Sequence, residues 1–445
     1  MPNAQFAPSV PSHHTIASAK QPATRAVLAF AMLLANVTTT STARGDWPQI
    51  LGPSRDGKAS QTEPLKTDWP EALTPIWSQS IGNGYGGAAI VQDSVFIMHR
   101  IGNEEFLESL DLASGKQRWR TGWKATYRSS HDADNGPRCV PTIADNKAIC
   151  YGAAGDLTCV QTTDGKLLWS RAIRKEYNAE DGYFGAGTSP LVIGDLVIVG
   201  VGGPKAGIVG LDIETGKNRW IATGYDASYA APIQLKQRGK SGKPLALVVT
   251  RLKTVLLDSA DGSVLSEINF GSRGPTVNAA TPIEVAENQF LLTSSYGIGS
   301  TLLSTANSTL TETYRGNQLL SSQYNTPVFI NDRIIGIDGR EDAGASTLRA
   351  FDPQTKKTIW EQPGFLTSHL IAIGNQVLVV SIDGAIKLVD ATSANYKPLA
   401  ESRLPQTESP LPKVKYRALP AMSNGVLILR KTTGADNSQC IAIQF

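Results

Sequence analysis

Short apolar segments separated by turn residues recur along most of this chain. In four units a short apolar segment, an Asp, Asn or Gly turn and a second alternating segment follow one another: PTIADNKAICYG (141–152), PLVIGDLVIVG (190–200), PVFINDRIIGI (327–337) and PAMSNGVLILR (420–430). Apolar residues with a period of two predict β-strands, and the short turns between such runs predict hairpins. Stretches with the 3.6-residue period of a helix are scarce, so the pattern favours an all-β protein.

A second motif ends most of the units. The stretch LDLASGKQRW (110–119) is repeated in related form as TTDGKLLW (162–169), LDIETGKNRW (211–220), LDSADGSVLS (257–266) and FDPQTKKTIW (351–360). In the pattern D-x-x-[ST]-G-K, the aspartate can accept backbone hydrogen bonds, and the glycine supplies the positive φ of a bulged hairpin turn. An indole is large and mostly apolar, with one N–H to satisfy, so it suits a slot between neighbouring sheets. We therefore expect a structural docking role, rather than ligand stacking, for five tryptophans: Trp77, Trp119, Trp169, Trp220 and Trp360.

The spacing of these motifs predicts the architecture. Successive tryptophans lie about 42 to 51 residues apart in the first units, a period typical of solenoids and propellers. First strands begin near eight positions: Ala88, Pro141, Pro190, Pro232, Pro282, Pro327, Leu370 and Pro420. The last unit stops after its third strand, whereas TPIWSQS (74–80) is a fourth strand without three predecessors. The sequence thus predicts an eight-bladed β-propeller of four-stranded antiparallel blades, closed by the N-terminal strand joining the C-terminal blade. Seven blades plus an irregular hairpin is the alternative, because three units are degenerate.

The N-terminal region has the features of a targeting segment. Arg25 precedes the apolar run AVLAFAMLLANV (26–37), and small residues follow up to Ala43. This predicts a signal peptide over residues 1–43, cleaved after Ala43, and a periplasmic or secreted protein; a buried helix is the alternative. No cysteine follows the apolar run, so a lipid-anchored lipoprotein is not expected. Residues 44–73 are expected to form an extension that packs on the outside or on one face of the propeller at 74–445.

Charge and cysteine content exclude several classes of function. The net charge is +3, and two of the cations lie within residues 1–43, so we expect neither nucleic-acid binding nor a polybasic membrane patch. A run of twelve apolar residues is too short to span a bilayer, and we expect a monomer that is not an integral membrane protein. Four cysteines without C-x-x-C spacing do not indicate a zinc site. Cys150 and Cys159 form either a cross-strand disulfide or, as we favour, buried reduced thiols.

The repeats resemble those of a known family. D-x-x-[ST]-G-K-x-x-W resembles the pyrroloquinoline-quinone (PQQ)-like propeller repeat over residues 74–445, and WPQILGPSRDG (47–57) resembles the opening of secreted bacterial proteins built from it. Such propellers include quinoprotein dehydrogenases and outer-membrane assembly scaffolds of the BamB type. In the dehydrogenases the quinone lies flat at the ring centre between a tryptophan and a disulfide of adjacent cysteines, and a calcium ion is held by acidic and amide side chains.

The resemblance carries no catalytic residue over to this chain. It has no adjacent cysteine pair, and no tryptophan falls at the ring centre, so we expect neither PQQ nor calcium as a cofactor. The prediction is a non-catalytic exported propeller for binding or scaffolding, with an envelope protein, peptide or glycan as partner. The alternative is a PQQ-dependent oxidoreductase whose cofactor site has degenerated.

A candidate binding site follows from the positions three residues before each first strand, which should lie at the rim of the central channel. In order these are Tyr85, Arg138, Gly187, Tyr229, Ala279, Tyr324, Thr367 and Arg417. Arginine binds carboxylates or phosphates through two parallel hydrogen bonds, and tyrosine offers rigid amphipathic contact. With His131 and His369 from nearby loops, this rim is predicted to bind an anionic small molecule, a glycan or a peptide segment. The alternative is that these residues close the channel entrance by bonding to each other.

The stretch from His131 to Asn135 contains oxygen donors of the kind that calcium prefers. It lacks the spacing and the terminal glutamate of an EF-hand, so we expect a solvated loop and no metal site.

Overall fold

The computed structural model describes residues 45–60, 65–406, 414–433 and 438–445. The predicted signal peptide and its cleavage site lie outside these residues. The described chain forms eight four-stranded antiparallel sheets arranged in a ring, a β-propeller with eight blades. The predicted architecture is confirmed, and the seven-blade alternative is wrong.

The first half of the ring follows strand β1 (Trp77–Ile81). Blade 1 contains β2 (Ala88–Val91), β3 (Ser94–Ile101), β4 (Glu104–Asp111) and β5 (Gln117–Lys124). Blade 2 contains β6 (Thr142–Ala144), β7 (Lys147–Tyr151), β8 (Leu157–Gln161) and β9 (Leu167–Arg171). Blade 3 contains β10 (Leu191–Ile193), β11 (Leu196–Gly203), β12 (Ala206–Asp212) and β13 (Asn218–Ala222). Blade 4 contains β14 (Ile233–Arg238), β15 (Pro244–Val249), β16 (Lys253–Asp258) and β17 (Val264–Asn269).

The second half repeats the same order. Blade 5 contains β18 (Ile283–Ala286), β19 (Gln289–Ser294), β20 (Gly299–Ser304) and β21 (Thr311–Gly316). Blade 6 contains β22 (Val328–Ile330), β23 (Arg333–Asp338), β24 (Ser346–Asp352) and β25 (Lys357–Phe365). Blade 7 contains β26 (Ser368–Ile373), β27 (Gln376–Ser381), β28 (Ala385–Asp390) and β29 (Pro398–Arg403). Blade 8 contains β30 (Ala421–Ser423), β31 (Val426–Thr432) and β32 (Ser438–Gln444), together with β1.

Helix is confined to short connections in the described part of the chain. It comprises α1 (Ile173–Glu176) and two 3₁₀ helices, Ala306–Ser308 and Glu341–Ala343. No helix among the described residues combines the length and apolarity needed to cross a membrane.

The two ends of the chain close the ring in one shared blade. Strand β1 pairs antiparallel with β32, and Trp77 lies opposite Ala442. From the channel outward, blade 8 is therefore ordered β30, β31, β32 and β1. This pairing completes the predicted closure, and β1 covers the edge of β32 that would otherwise be open to pairing with other chains.

The first hairpin of several blades turns on two residues with positive φ. Asp145 and Asn146 have φ values of 45° and 60°, and Asn331 and Asp332 have values of 49° and 57°. Positive φ at both central positions defines the type I′ turn, whose twist matches that of the flanking strands. Asn and Asp tolerate this conformation better than other residues with side chains, which is why they mark the hairpins in the sequence.

The hydrophobic core lies between the blades rather than at the channel. In β15, Leu245 and Leu247 pack with Phe290 of blade 5, whereas Ala246 packs with Trp220 of blade 3. Successive residues of a strand point to opposite faces of its sheet. The middle strands therefore bury both faces, and for this reason they are almost continuously apolar in sequence.

The repeated tryptophans lie between neighbouring blades. The Trp220 indole Nε1 donates a hydrogen bond of 3.0 Å to the Ser259 carbonyl, which directly follows the motif aspartate of blade 4. Its ring also covers the turn glycine of that blade, because a Cβ on Gly262 would lie 2.5 Å from the indole. Equivalent bonds to the next blade join Trp77 to Leu112, Trp119 to Thr162, and Trp169 to Ile213. The glycine turn of the motif in one blade is thus covered by the tryptophan that ends the same motif in the preceding blade.

Trp360 is buried to the same extent as Trp220, but its surroundings are different. Its ring contacts Tyr396 of blade 7 edge-on, with the ring centroids 5.8 Å apart. Its Nε1 has no hydrogen-bond partner in the described part of the chain. Blade 7 lacks the glycine turn, which explains the substitution of a ring–ring contact for the hydrogen bond.

The N-terminal extension closes one end of the central channel. We call residues 47–58 the plug. Trp47 exchanges two backbone hydrogen bonds of 2.8 Å with Ile90 of blade 1, and Ala59, just after the plug, donates to the Ala372 carbonyl of blade 7 at 2.9 Å. The segment therefore begins at blade 1 and ends at blade 7, which are separated in the ring only by blade 8, and its middle part reaches blades 3 and 4 through Arg55. Farther along the extension, Trp69 packs on Phe445 with ring centroids 4.9 Å apart.

Arg55 of the plug extends into the channel and is 3% exposed. Its guanidinium donates to the carbonyl of Pro232 at 2.9 Å and also to those of Ser189 and Pro190. Its Nε donates to Gln49 within the plug at 2.7 Å. Burial lowers the pKa of Arg55 to about 9, and the group still carries its charge at neutral pH. The plug thus satisfies inward-facing carbonyls of blades 3 and 4 that no strand can reach.

We expect Trp220→Phe to destabilise the protein more than Trp360→Phe. Both changes remove the same indole volume from a buried position, but only the first leaves the buried Ser259 carbonyl without its donor. An unsatisfied buried acceptor costs about 1–3 kcal/mol. Urea unfolding followed by circular dichroism measures the two variants against the parent. Equal losses of stability would contradict the role assigned to the indole hydrogen bond.

We expect Arg55→Met to lower the free energy of unfolding by about 2–4 kcal/mol, because the carbonyls at the channel wall lose a charged donor. Methionine has a similar length and keeps the apolar contacts of the stem. The matched control is Arg118→Met, which removes an exposed arginine bonded to Asp111 and should change stability by less than about 1 kcal/mol. The prediction fails if thermal or urea unfolding shows no difference between the two variants.

Candidate functional site at the mouth of the channel

The end of the channel opposite the plug is where the first strands begin. We call this end the mouth. The rim positions predicted from the sequence lie here, and they include residues of adjacent blades in direct contact. The Arg417 guanidinium lies 4.8 Å from the centroid of the Tyr85 ring, and that of Arg138 lies 5.1 Å from the same ring. Tyr85 is therefore held between two cations from the blades on either side, a favourable cation–π arrangement.

A glutamate from blade 6 completes this cluster. Glu341 accepts a hydrogen bond of 2.9 Å from the Arg417 Nε and one of 2.9 Å from the Tyr324 hydroxyl. Lys415 also donates to it at 2.9 Å. Burial alone would raise the pKa of Glu341, but the bonds from Arg417 and Lys415 outweigh it and lower this pKa to about 2. The carboxylate is therefore ionised at neutral pH and neutralises the cations beside it.

Arg138 is held in a similar way by the loop that precedes it. Its guanidinium donates to the Asp134 carbonyl at 2.6 Å and to the Gly136 carbonyl, and it lies 3.5 Å from the Asp134 carboxylate. The Tyr85 hydroxyl donates to Asp132 at 2.8 Å. Both rim arginines thus have most of their donors engaged by protein acceptors, although the Arg138 Nε has no partner among the described residues. The mouth does not present a free cationic fork.

The two candidate histidines have different environments. His369 is 3% exposed, and its Nε2 lies 2.8 Å from the Arg417 carbonyl, to which it donates. Burial lowers the pKa of His369 to about 4, so this ring is neutral and belongs to the packing of the mouth. His131 is exposed. Its ring meets the edge of Tyr183, with centroids 5.0 Å apart.

The loop around His131 is held by hydrogen bonds within the loop and by one bond to Gly84, which precedes blade 1. Asp134 accepts from the Gly84 and Gly136 amides at 2.9 and 2.7 Å, and Asn135 accepts from the Ser129 amide at 2.7 Å. Within the described residues no group of three or more His, Cys, Asp or Glu side chains is arranged to hold a metal ion.

The remaining rim residues fill the side of the mouth toward blades 3 and 4. The Tyr229 ring covers Gly187, where an added Cβ would lie 2.4 Å from it. Its hydroxyl accepts a hydrogen bond of 2.8 Å from the Phe184 amide, and burial raises the pKa of Tyr229 to about 12. Gly187 therefore gives space to a tyrosine instead of contributing a side chain.

Sequence reasoning missed an aromatic cluster beside the mouth. Phe184 lies 6.0 Å from Tyr229 and 6.4 Å from His131 between ring centroids. Tyr183 contacts the same histidine and lies under the guanidinium of Arg251 at 5.6 Å. We call His131, Tyr183 and Phe184 the aromatic cluster. The pair YF in DGYFGAG was a visible signal, since two adjacent aromatic residues in a polar, glycine-rich loop are unlikely to fill a core.

Sequence reasoning also missed Glu341. It lies in the loop REDAGAS, where an acidic residue carries no repeat signal. Its partners Arg417 and Tyr324 are 76 and 17 residues away along the chain. Only the ring brings them together.

The residues present do not fit a PQQ site of the dehydrogenase type. All four cysteines are buried free thiols. Cys150 lies opposite Thr158, and Cys159 lies opposite Ile149. This one-residue offset directs the two thiols to opposite faces of the sheet, so the alternative of a cross-strand disulfide is wrong. No tryptophan faces the channel centre: the repeated tryptophans lie between blades, Trp123 lies on an outer strand, and Trp47 and Trp69 belong to the extension.

Comparisons with solved structures show the fold in other proteins. BamB from Moraxella catarrhalis is 17% identical, with a TM-score of 0.59, over 84% of this chain and 100% of that chain. A europium-containing methanol dehydrogenase is 12% identical, with a TM-score of 0.62, over 90% of this chain and 98% of that chain. A computationally designed protein is 12% identical, with a TM-score of 0.57, over 84% of this chain and 100% of that chain. At these identities the likeness shows the fold alone.

Sequence comparison gives a more specific result. No curated protein sequence matches the chain significantly. The sequence model of the family described as outer membrane protein assembly factor BamB matches residues 103–362. Because this match spans more than half of the chain, the protein belongs to the outer membrane protein assembly factor BamB family.

Proposed function

We propose that this protein is a non-catalytic, exported propeller that binds or scaffolds another protein in the cell envelope. The observation that carries the proposal is the closure of the central channel at both ends by the chain itself. Arg55 and the plug fill one end. At the mouth, Glu341, Arg417 and Tyr85 bind one another. The centre of the ring is thus engaged in holding the blades together, which leaves its outer surfaces for recognition.

The family and the N-terminal sequence support the location and the kind of partner. The family is named for an outer-membrane assembly factor, and residues 1–43 have the features of a signal peptide. Together they favour an envelope protein over a soluble metabolite as the main partner. We expect the mature chain to act as a monomer.

The aromatic cluster is the part of the mouth face best suited to a protein partner. Aromatic side chains supply much of the binding energy at protein interfaces, because they bury a large area at a low cost in conformational entropy. His131 is exposed, and Tyr183 and Phe184 are half-buried. Recognition by the rim arginines themselves stays a prediction, and it is less favoured because protein carboxylates and carbonyls already engage their donors.

An oxidoreductase is the second candidate, favoured by the overall likeness to a methanol dehydrogenase. Fold alone does not decide function, since unrelated activities share the same fold. The isolated thiols and the outward tryptophans argue against a quinone cofactor at the channel centre.

We expect the purified protein to retain no quinone and to show no dye-linked oxidation of alcohols or sugars after incubation with PQQ and calcium chloride. The measurements are the absorbance of the desalted protein and the reduction of an artificial electron acceptor. A quinoprotein dehydrogenase reconstituted in parallel is the positive control. One retained quinone per chain together with dye reduction would overturn the non-catalytic proposal.

We expect a photo-crosslinking amino acid in place of His131 to form a discrete adduct with one envelope protein in intact cells. The matched control position is Lys236, whose exposed side chain lies beside the plug at the other end of the channel. Adducts are detected by gel mobility and identified by mass spectrometry. The assignment of the partner surface fails if His131 gives no adduct in the folded protein, or if Lys236 gives the same adduct with equal yield.

A further inference from the structure

Four arginines are buried in the described part of the chain: Arg55, Arg100, Arg174 and Arg430. Three of them donate hydrogen bonds to backbone carbonyls through their guanidinium groups. Arg100 bonds to Gly102, Ala125, Tyr127 and Asn135, and Arg430 bonds to Gly82, Gly86 and Met98. These bonds compensate the loss of hydration, as burial of a charge requires.

Arg174 is the exception. It is 6% exposed, and its guanidinium makes no hydrogen bond to any described residue. The nearest charge is Asp181, whose carboxylate lies 4.0 Å from Nη1 and is 68% exposed. This distance is too long for a hydrogen bond. The N–H groups of the buried Arg174 guanidinium are therefore not engaged by any described residue and can donate to a ligand.

The Arg174 guanidinium lies in the wall of a pocket beside the mouth. The pocket is lined by residues of blades 2, 3 and 4 and of the loop that leads to blade 5. Tyr151 and Asn278 also line this pocket, and the Tyr151 hydroxyl and the Asn278 Oδ1 are buried atoms without a hydrogen-bond partner among the described residues. Burial raises the pKa of Tyr151, and the nearby charge of Arg174 opposes that rise. Tyr151 thus stays protonated and able to donate, whereas Asn278 Oδ1 can only accept.

The pocket has a size and a charge pattern that restrict its ligand. Its cavity volume is about 80 Å³, which corresponds to roughly five to eight water-sized groups at about 10–15 Å³ each. Five glycines line its wall, and at Gly200 an added Cβ would meet only Ala227 Cβ, at 3.8 Å, so this position leaves open space. Around the opening, three exposed carboxylates, Asp226, Glu180 and Asp181, outnumber the one further cation, Arg251. A ligand with only negative charge is therefore disfavoured there.

We propose that this pocket binds a small carboxylate that also carries a hydroxyl or ammonium group, such as a hydroxy acid or an amino acid. The carboxylate pairs with the two-pronged donor fork of Arg174, for which its planar geometry is suited. The Tyr151 hydroxyl donates to the same carboxylate. The donor group of the ligand satisfies Asn278 Oδ1 or the carboxylates at the opening. Tyr183 of the aromatic cluster also lines this pocket, but crosslinking at His131 does not depend on a ligand here, so failure of this proposal would leave the proposed scaffolding function untouched.

The test is isothermal titration of the purified protein with L-serine, L-lactate, acetate and inorganic phosphate. We expect L-serine or L-lactate to bind, acetate to bind more weakly because it lacks the donor group, and phosphate not to bind. Arg174→Gln and Arg174→Lys should each weaken binding at least about tenfold, because a charge-assisted bidentate pair is lost. Tyr151→Phe, which removes one hydroxyl, should weaken it about threefold or more.

The matched control is Arg219→Gln, which changes the net charge equally but lies on the outer strand of blade 3, bonded to Asp195 and Asp212. It should leave binding unchanged. The proposal is overturned if none of the carboxylates binds, if phosphate binds in their place, or if Arg174→Gln has no more effect than Arg219→Gln. Should the Arg174 variants fail to fold, unchanged binding in Tyr151→Phe would overturn it as well.

Discussion

The ring depends on the contact between an indole at the end of one blade and the hairpin turn of the next. A four-stranded sheet with apolar residues on both faces cannot be stable alone, so each blade requires its neighbours. The Trp220 indole provides apolar surface for this contact and a hydrogen bond that fixes its position on the turn. Trp360 shows that the apolar part alone suffices at one interface, where Tyr396 replaces the glycine turn.

Eight blades arranged in this way leave an axial channel lined by inner strands. Carbonyl groups that face such a channel need donors from outside the sheets. Arg55 supplies them at one end from a segment that precedes the propeller. At the other end, Glu341 and Arg417 bind each other across neighbouring loops. The same physical requirement, that buried polar and charged groups be paired, therefore explains why both ends of this channel are closed.

This pairing also separates structural from candidate functional residues. Arg417 and Arg138 were attractive as ligand-binding residues, yet most of their donors are engaged by the protein. Arg174 was not a candidate, and its guanidinium has no hydrogen-bond partner among the described residues. Because scaffolds and dehydrogenases share the propeller, function here must be argued from such differences at individual sites rather than from the fold.

The sequence by itself determined the strands, the hairpin turns and the closure of the ring, and it favoured eight blades over the alternative of seven. These depend on the two-residue period of apolar residues, on turn residues such as Asp145 and Asn146, and on the repeated motif from aspartate to tryptophan. Each of these patterns lies within a short stretch of consecutive residues. Only the tertiary structure decided that Arg55 enters the channel, that Glu341 meets Arg417, and that Cys150 and Cys159 face apart. The outcome for the two cysteines depends on strand register. Those for Arg55 and Glu341 depend on which loops converge at the axis, because their partners lie 134 and 76 residues away with no periodic signal to connect them.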